Sequence, residues 1–182
     1  MHRLIVLLLA SVLLAGCATR PTKPAVELPA LRMAPSALGH ELAAQQHLVF
    51  RFGTQVRELD ALLEVDATEV RLAVQAMGRT GVRLQWDGKD LVEQRAAWLP
   101  AAVRGERVLD DVQFSLWPAD AIRAVLPAGW ELVERDGIRE LRKDGRVWLQ
   151  RDQVDATTLR IRNDADGYEL TIASAPGGVT RP

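Results

Sequence analysis

The sequence predicts a mainly β domain of the α+β class: a curved antiparallel sheet or half barrel of about nine to ten strands, covered by one or two short helices. Three observations carry this expectation. Apolar and polar residues alternate with period two through most of the chain from Gln45 onward, the pattern of strands with one face buried. Asp-Gly dipeptides at Asp87-Gly88, Asp136-Gly137, Asp144-Gly145 and Asp166-Gly167 punctuate those runs, and such pairs supply the positive φ values of tight hairpins. Helical spacing interrupts the pattern once, between Leu109 and Leu126.

The chain has 182 residues, of which 23 are basic and 24 acidic, for a formal net charge of −1. So even a balance argues against a general nucleic-acid binder, which needs a basic face. A hydrophobic share of 48% with 26% charged residues suits one globular domain with its own core.

The first sixteen residues are read as a targeting segment. Met1-His2-Arg3 is a short basic start, and Leu4 to Leu14 form an apolar run of eleven residues, too short for a bilayer that needs about 20. Leu14-Ala15-Gly16-Cys17 then places small residues before the single cysteine of the chain. This resembles the lipobox of bacterial lipoproteins, in which the leader is cleaved before Cys17 and the cysteine is acylated. The other reading is a plain secretory signal with an incidental cysteine. Acyl chains bring roughly 0.8 kcal/mol per buried methylene, so several together anchor a protein durably. Ala18 follows Cys17, where an Asp would resemble an inner-membrane retention signal, so the expected address is the periplasmic face of the outer membrane.

Pro21, Pro24, Pro29 and Pro35 crowd the next stretch, which reads as an extended tether. The expected organisation is a cleaved signal over 1–16, a lipidated Cys17 with a Pro-rich tether over 17–44, a folded domain over 45–174 and a flexible tail over 175–182.

Within the domain, Leu59, Ala61, Leu63 and Val65 define one strand face, Val70, Leu72, Val74 and Ala76 a second, and Val82, Leu84 and Trp86 a third. Further strands are expected over Leu91 to Trp98, Trp130 to Glu134, Ile138 to Arg142, Val147 to Arg151, Leu159 to Asn163 and Tyr168 to Ala173. Val108, Leu109, Val112 and Leu116 recur at helical intervals, and Pro118 starts a second segment carrying Ile122, Val125 and Leu126 until Pro127 and Gly129 end it. Asp110 and Asp111 are expected in the first helical turn, where acids favour the dipole. These short helices are the material available to cover the sheet, and Ala61, Ala73, Ala76, Ala96 and Ala97 leave room inside. Trp86, Trp117 and Trp130 fall on apolar faces, where a ring either walls a cavity or fills it. Trp148 is out of phase with Val147 and Leu149 and is expected on the opposite face.

Nothing in the residues points to catalysis. His40 and His47 stand seven apart without an acidic or thiol partner at metal spacing. Nucleophile elbow, phosphate loop and His-Glu-x-x-His motifs are absent from the sequence, and Ser115 has no evident activating base. No catalytic residue, metal ligand or cofactor is therefore expected.

Several segments together carry a family resemblance: the lipobox, the Val70-Arg71-Leu72-Ala73-Val74 run into Met77-Gly78, the strand ending Trp86-Asp87-Gly88, Leu109-Asp110-Asp111 to Trp117-Pro118, and Gly167-Tyr168. The chain resembles a Gram-negative outer-membrane lipoprotein family of uncharacterised function whose genes accompany aryl-polyene or xanthomonadin-type pigment synthesis. More distantly, its order of elements is similar to LolA and LolB, which hold lipoprotein acyl chains in a half barrel lidded by helices. The resemblance implies a LolA/LolB-like fold and a hydrophobic cargo. Met77, before Gly78, matches the apolar residue that projects from a strand-connecting loop in LolB-like proteins, though it also reads as the last core residue of its strand. The implied lipid-binding set is Leu72, Val74, Met77, Leu84, Trp86, Leu116, Trp117, Ile122 and Trp130, with the helical region as a movable lid.

The expected function is a non-catalytic carrier or receptor for acyl chains of a lipoprotein, lipid or pigment precursor. Its partners are the outer membrane through acylated Cys17, the hydrophobic ligand and a periplasmic carrier protein, with no nucleic acid. The alternative is a tethered interaction module with a filled core.

Overall fold

Period-two alternation becomes ten strands in one open, curved antiparallel sheet: β1 (Glu41–Phe52), β2 (Gln55–Val65), β3 (Val70–Ala76), β4 (Arg79–Trp86), β5 (Leu91–Arg95), β6 (Trp130–Arg135), β7 (Ile138–Lys143), β8 (Arg146–Gln153), β9 (Thr158–Asn163) and β10 (Tyr168–Ser174). The computed structural model describes residues 26–99, 104–175 and 179–181. The cleavage site and Cys17 lie outside the described residues. Strand order is β5-β4-β3-β2-β1-β10-β9-β8-β7-β6, so two five-strand meanders are spliced where β1 meets β10, from Gln46 opposite Ser174 to Phe52 opposite Tyr168.

Turn chemistry sets the hairpins. Met77-Gly78, Asp136-Gly137 and Asp144-Gly145 each place two successive residues at positive φ, between 48° and 80°, the geometry whose twist matches flanking strands. Asp87-Gly88 works differently. The Asp87 carboxylate accepts the N–H groups of Lys89 at 2.8 Å and Asp90 at 2.7 Å, closing a longer loop.

Two register shifts re-aim side chains. In the first, Val74 faces Val82 but Gln75 faces Thr80, leaving Gly81 unpaired. In the second, Leu141 faces Leu149 but Arg142 faces Val147, leaving Trp148 unpaired. A bulge bends its strand and turns the extra residue. Trp148 accordingly packs against the core rather than on the opposite face that alternation predicts, with the Arg146 guanidinium 4.0 Å from its ring centroid.

Between the meanders lie α1 (Gly105–Leu116) and α2 (Ala119–Val125). Trp117, forced extended (ψ 150°) by the proline that follows, separates them. Because α1 begins at Gly105, Asp110 and Asp111 sit in mid-helix and are buried, not in the first turn.

The tether reading is corrected over 26–44. Leu28, Leu31, Met33 and Leu38 are buried in the core, a 3-10 turn spans Pro35–Leu38, and β1 has begun by Glu41. This segment is a strap across α1. Met33 N–H donates to Gln113 Oε1 at 3.1 Å, Gln113 Nε2 returns a bond to Met33 O at 2.8 Å, and Trp86 Nε1 reaches the same oxygen at 2.8 Å. Leu31 N–H and the Arg32 guanidinium both bond Asp110 Oδ1, at 3.1 and 2.7 Å. The flexible-tail reading is corrected too, since β11 (Val179–Arg181) pairs with Glu41–Ala43 of β1.

Candidate functional site

Strap, helices and β4 fill one part of the sheet's inner face, and a cleft remains beneath α1. It has a volume of about 100 Å³ and lies against β1, β2, β3 and β10. Alternation delivers its floor: Leu48 and Phe50, Leu59 and Ala61, Leu72 and Val74, and Leu170 and Ile172 are pairs two apart on successive strands. The helical period delivers its roof, because Arg107, Val108, Asp111 and Val112 recur on one side of α1, and Arg104 joins them from the extended position just before the helix.

The cleft carries a polar group in an apolar wall. Tyr168, the chain's single tyrosine, donates its hydroxyl to Asp111 Oδ2. Burial pushes the Asp111 carboxyl up to about 7, against the opposing pull of Tyr168 and Arg107. Burial also pushes the Tyr168 phenol up, so it stays protonated and donates. Asp111 Oδ1 is buried without a hydrogen-bond partner. Arg107 spreads its charge over Asp110 Oδ2 at 3.5 Å and Asp166 Oδ2 at 3.4 Å.

Of the residues expected to bind lipid, Leu72 and Val74 line this cleft. Leu84, Trp86, Trp117 and Ile122 are buried in the filled core instead. The strap is the reason: Trp86 is bonded to Met33 O, and Trp117 Nε1 donates to Ala34 O at 3.1 Å. Leu116 and Trp130 are half-buried at the core's margin, the latter with Lys143 Nζ 5.5 Å from its ring centroid. Met77 is elsewhere, 94% exposed at the tip of the β3–β4 hairpin. Beside that hairpin the Arg79 guanidinium lies 5.9 Å from the ring centroid of Trp98, itself 39% exposed.

Sequence reasoning missed Arg104 before α1, Arg107 and Asp111 on it, and the β10 face of Tyr168, Leu170 and Ile172. A helix started at Gly105 would have shown Arg107 and Asp111 on one stripe, with Arg104 as the extended residue before it. Strand pairing brings Asp60 Oδ1 within 3.2 Å of His47 Nδ1 on the outer face, a single pair rather than a metal-ligand set. Among the described residues no group of three or more His, Cys, Asp or Glu side chains is placed to hold a metal ion. No helix among them is long and apolar enough to cross a membrane.

A family model described as "Protein of unknown function (DUF3261)" matches residues 43–176. None of the curated proteins compared with the chain matches it. Among solved structures, a DUF1329 family protein from Desulfovibrio piger is similar at 11% identity with a TM-score of 0.39, over 75% of this chain and 84% of that one.

Proposed function

Because the chain belongs to the DUF3261 family, whose model spans the sheet and both helices but assigns no activity, we propose from the cleft itself that the protein is a non-catalytic binder of hydrophobic cargo. In this reading it is a lipoprotein held at the periplasmic face of the outer membrane by acyl chains on Cys17. It acts as carrier or receptor for acyl chains of a lipoprotein, lipid or pigment precursor, and a periplasmic carrier protein delivers or collects them. The observation that carries the reading is the unfilled apolar cleft beneath α1, since protein interiors are otherwise packed like organic crystals. The resemblance to LolA and LolB supports it by analogy of element order, and a pigment-related cargo follows from the aryl-polyene resemblance alone.

Met77 supports the membrane side of the proposal. A flexible apolar side chain at an exposed hairpin tip, with Trp98 and Arg79 nearby, is suited to touch a bilayer or a donor's acyl chain. Lid motion belongs to the proposal in restricted form, because the strap and Arg139 tie α1 down on its other side: Arg139 Nη1 donates to Phe114 O at 2.6 Å and Trp117 O at 2.8 Å.

The test is to purify the full chain from a Gram-negative envelope extract and identify copurifying hydrophobes by mass spectrometry. A hydrophobe is expected at near-stoichiometric amount with the wild type and lost in a Val74→Trp variant that fills the cleft and stays folded. Equal recovery from both would overturn the cleft assignment. Recovery of none from either would favour a tethered interaction module, a reading to which the filled core under Trp86 and Trp117 belongs.

A further inference from the structure

We propose that the cleft beneath α1 selects a carboxylic acid, with Asp111, Tyr168, Arg104 and Arg107 forming a head-group end and the aliphatic part lying on the apolar floor. The inference rests on the cargo-binding reading and specifies its ligand class.

Asp111 is the first reason. It is 7% exposed, and only one of its two oxygens is satisfied by Tyr168, while Oδ1 stays buried and unpartnered. Native chains retain few such atoms, because each forfeits the hydrogen bonds it had in water. An oxygen brought by a ligand beside Oδ1 removes the deficit.

Charge decides which oxygen. The groups facing Asp111 are Tyr168 from β10, Arg107 and Asp110 from its own helix, and Asp166 from the β9–β10 loop. Burial favours the protonated carboxyl near neutral pH, so with Oδ2 taken by the phenol the proton sits on Oδ1 and points to an acceptor. A ligand carboxylate is the strongest such acceptor, and between the two titration steps of such a pair the two carboxyl groups share one proton. Two guanidiniums that line the cleft, Arg107 of α1 and Arg104 just before it, balance its charge. Arg104 forms no ion pair with the described residues, and the contacts of Arg107 to Asp110 and Asp166 are long, at 3.5 and 3.4 Å. An ester offers the same carbonyl without the charge, so it gains the hydrogen bond but not the pairing with Arg104 and Arg107.

Size is compatible with a chain's first segment. A volume of about 100 Å³ corresponds to roughly three waters at ~30 Å³ each, room for a carboxyl with its first methylenes. The rest of a longer chain lies outside that volume.

The test uses the full chain reconstituted in phosphatidylcholine vesicles and two photoreactive probes, a diazirine-bearing decanoic acid and its methyl ester. Crosslinked peptides are mapped by mass spectrometry. The acid is expected to label peptides of α1 or β10 about tenfold more than the ester, the ratio that one charge-assisted contact supplies. Asp111→Leu and Arg104→Gln should each bring acid labelling down toward the ester's level. Arg104 is exposed, so Arg104→Gln should fold normally even if Asp111→Leu does not. Equal labelling by acid and ester, unmoved by Arg104→Gln, would overturn the head-group inference while leaving the cargo-binding reading in place. Absence of cleft labelling by either probe would overturn both.

Discussion

Asp111 makes the fold's stability depend on pH in a direction opposite to that of a salt-bridged carboxylate. Its unfolded-state value is 3.8, and burial raises it to about 7 in the folded chain. Folding therefore carries no penalty from this group below about pH 4, loses stability progressively between about 4 and 7, and keeps a constant deficit above that. A shift of this size corresponds to roughly 4 kcal/mol as an upper figure. Asp110 is shifted upward by burial as well, against the pull of Arg32, so the comparison must isolate one carboxyl. Asp111→Asn keeps an acceptor for Tyr168 and cannot titrate. Urea unfolding should show the variant gaining on wild type by a few kcal/mol between pH 4 and pH 8, and a gap that stays constant with pH would refute the buried-acid account. Gln113 is a second residue whose value is local and large. It is fully buried and holds both backbone polar groups of Met33. Gln113→Leu leaves the Met33 N–H unpartnered and should cost about 1–3 kcal/mol, whereas exposed Arg83→Ala should stay within about 0.5 kcal/mol. Matching urea midpoints for the two variants would show that the strap is not held through Gln113.

At the scale of elements, the β3–β4 hairpin tip offers a clean separation of function from folding. Met77 touches little at 94% exposure, so Met77→Glu should leave the melting temperature unchanged within about 2 °C while lowering uptake of acyl chains from donor vesicles several-fold. Unaltered uptake would confine the lipid contact to the cleft. This hairpin was legible in the sequence because Met77-Gly78 falls between two alternating runs, and the same logic located β2 to β10 to within a few residues. Elements without a period were not legible. Leu28, Leu31 and Met33 enter the core between prolines, and their backbone partners, Asp110 and Gln113, lie far along the chain, so the strap read as tether. Trp148 failed because one extra residue in β8 inverts phase locally. The cleft was half legible. Leu72 and Val74 follow from strand alternation, but Asp111 depends on where α1 begins, and an acidic pair read near a helix start looks like a favourable dipole partner. Placing the start at Gly105 turns the same pair inward, Asp110 onto the strap and Asp111 onto β10.

For the whole molecule, the decisive contact joins the chain's distant ends. β1 and β10 pair from Gln46 opposite Ser174 to Phe52 opposite Tyr168 at the centre of the sheet, and among the described residues only the short β11, opposite Glu41–Ala43, shares that edge of β1. The helices bind both halves: Arg139 of β7 holds the C-terminal carbonyls of α1, while Met33 of the strap joins α1 to Trp86 of β4. Shared packing of this kind predicts one cooperative unfolding unit rather than two, with slow folding because the central pairing closes a long loop. Hydrogen exchange read by mass spectrometry should give peptides of β2–β4 and of β7–β9 the same opening free energy. The decisive variant is Leu48→Lys, which places a charge at a buried site of the β1–β10 junction, opposite Ile172. That charge costs several kcal/mol, and the loss should appear equally in both sets of peptides, far from the substitution in one case. Val92→Lys on the exposed edge strand β5 is the control and should change little. If β7–β9 kept their protection in Leu48→Lys while β2–β4 lost it, the two meanders would be separate foldons, and the cleft between α1, β1 and β10 would be a seam between them rather than a pocket in one core.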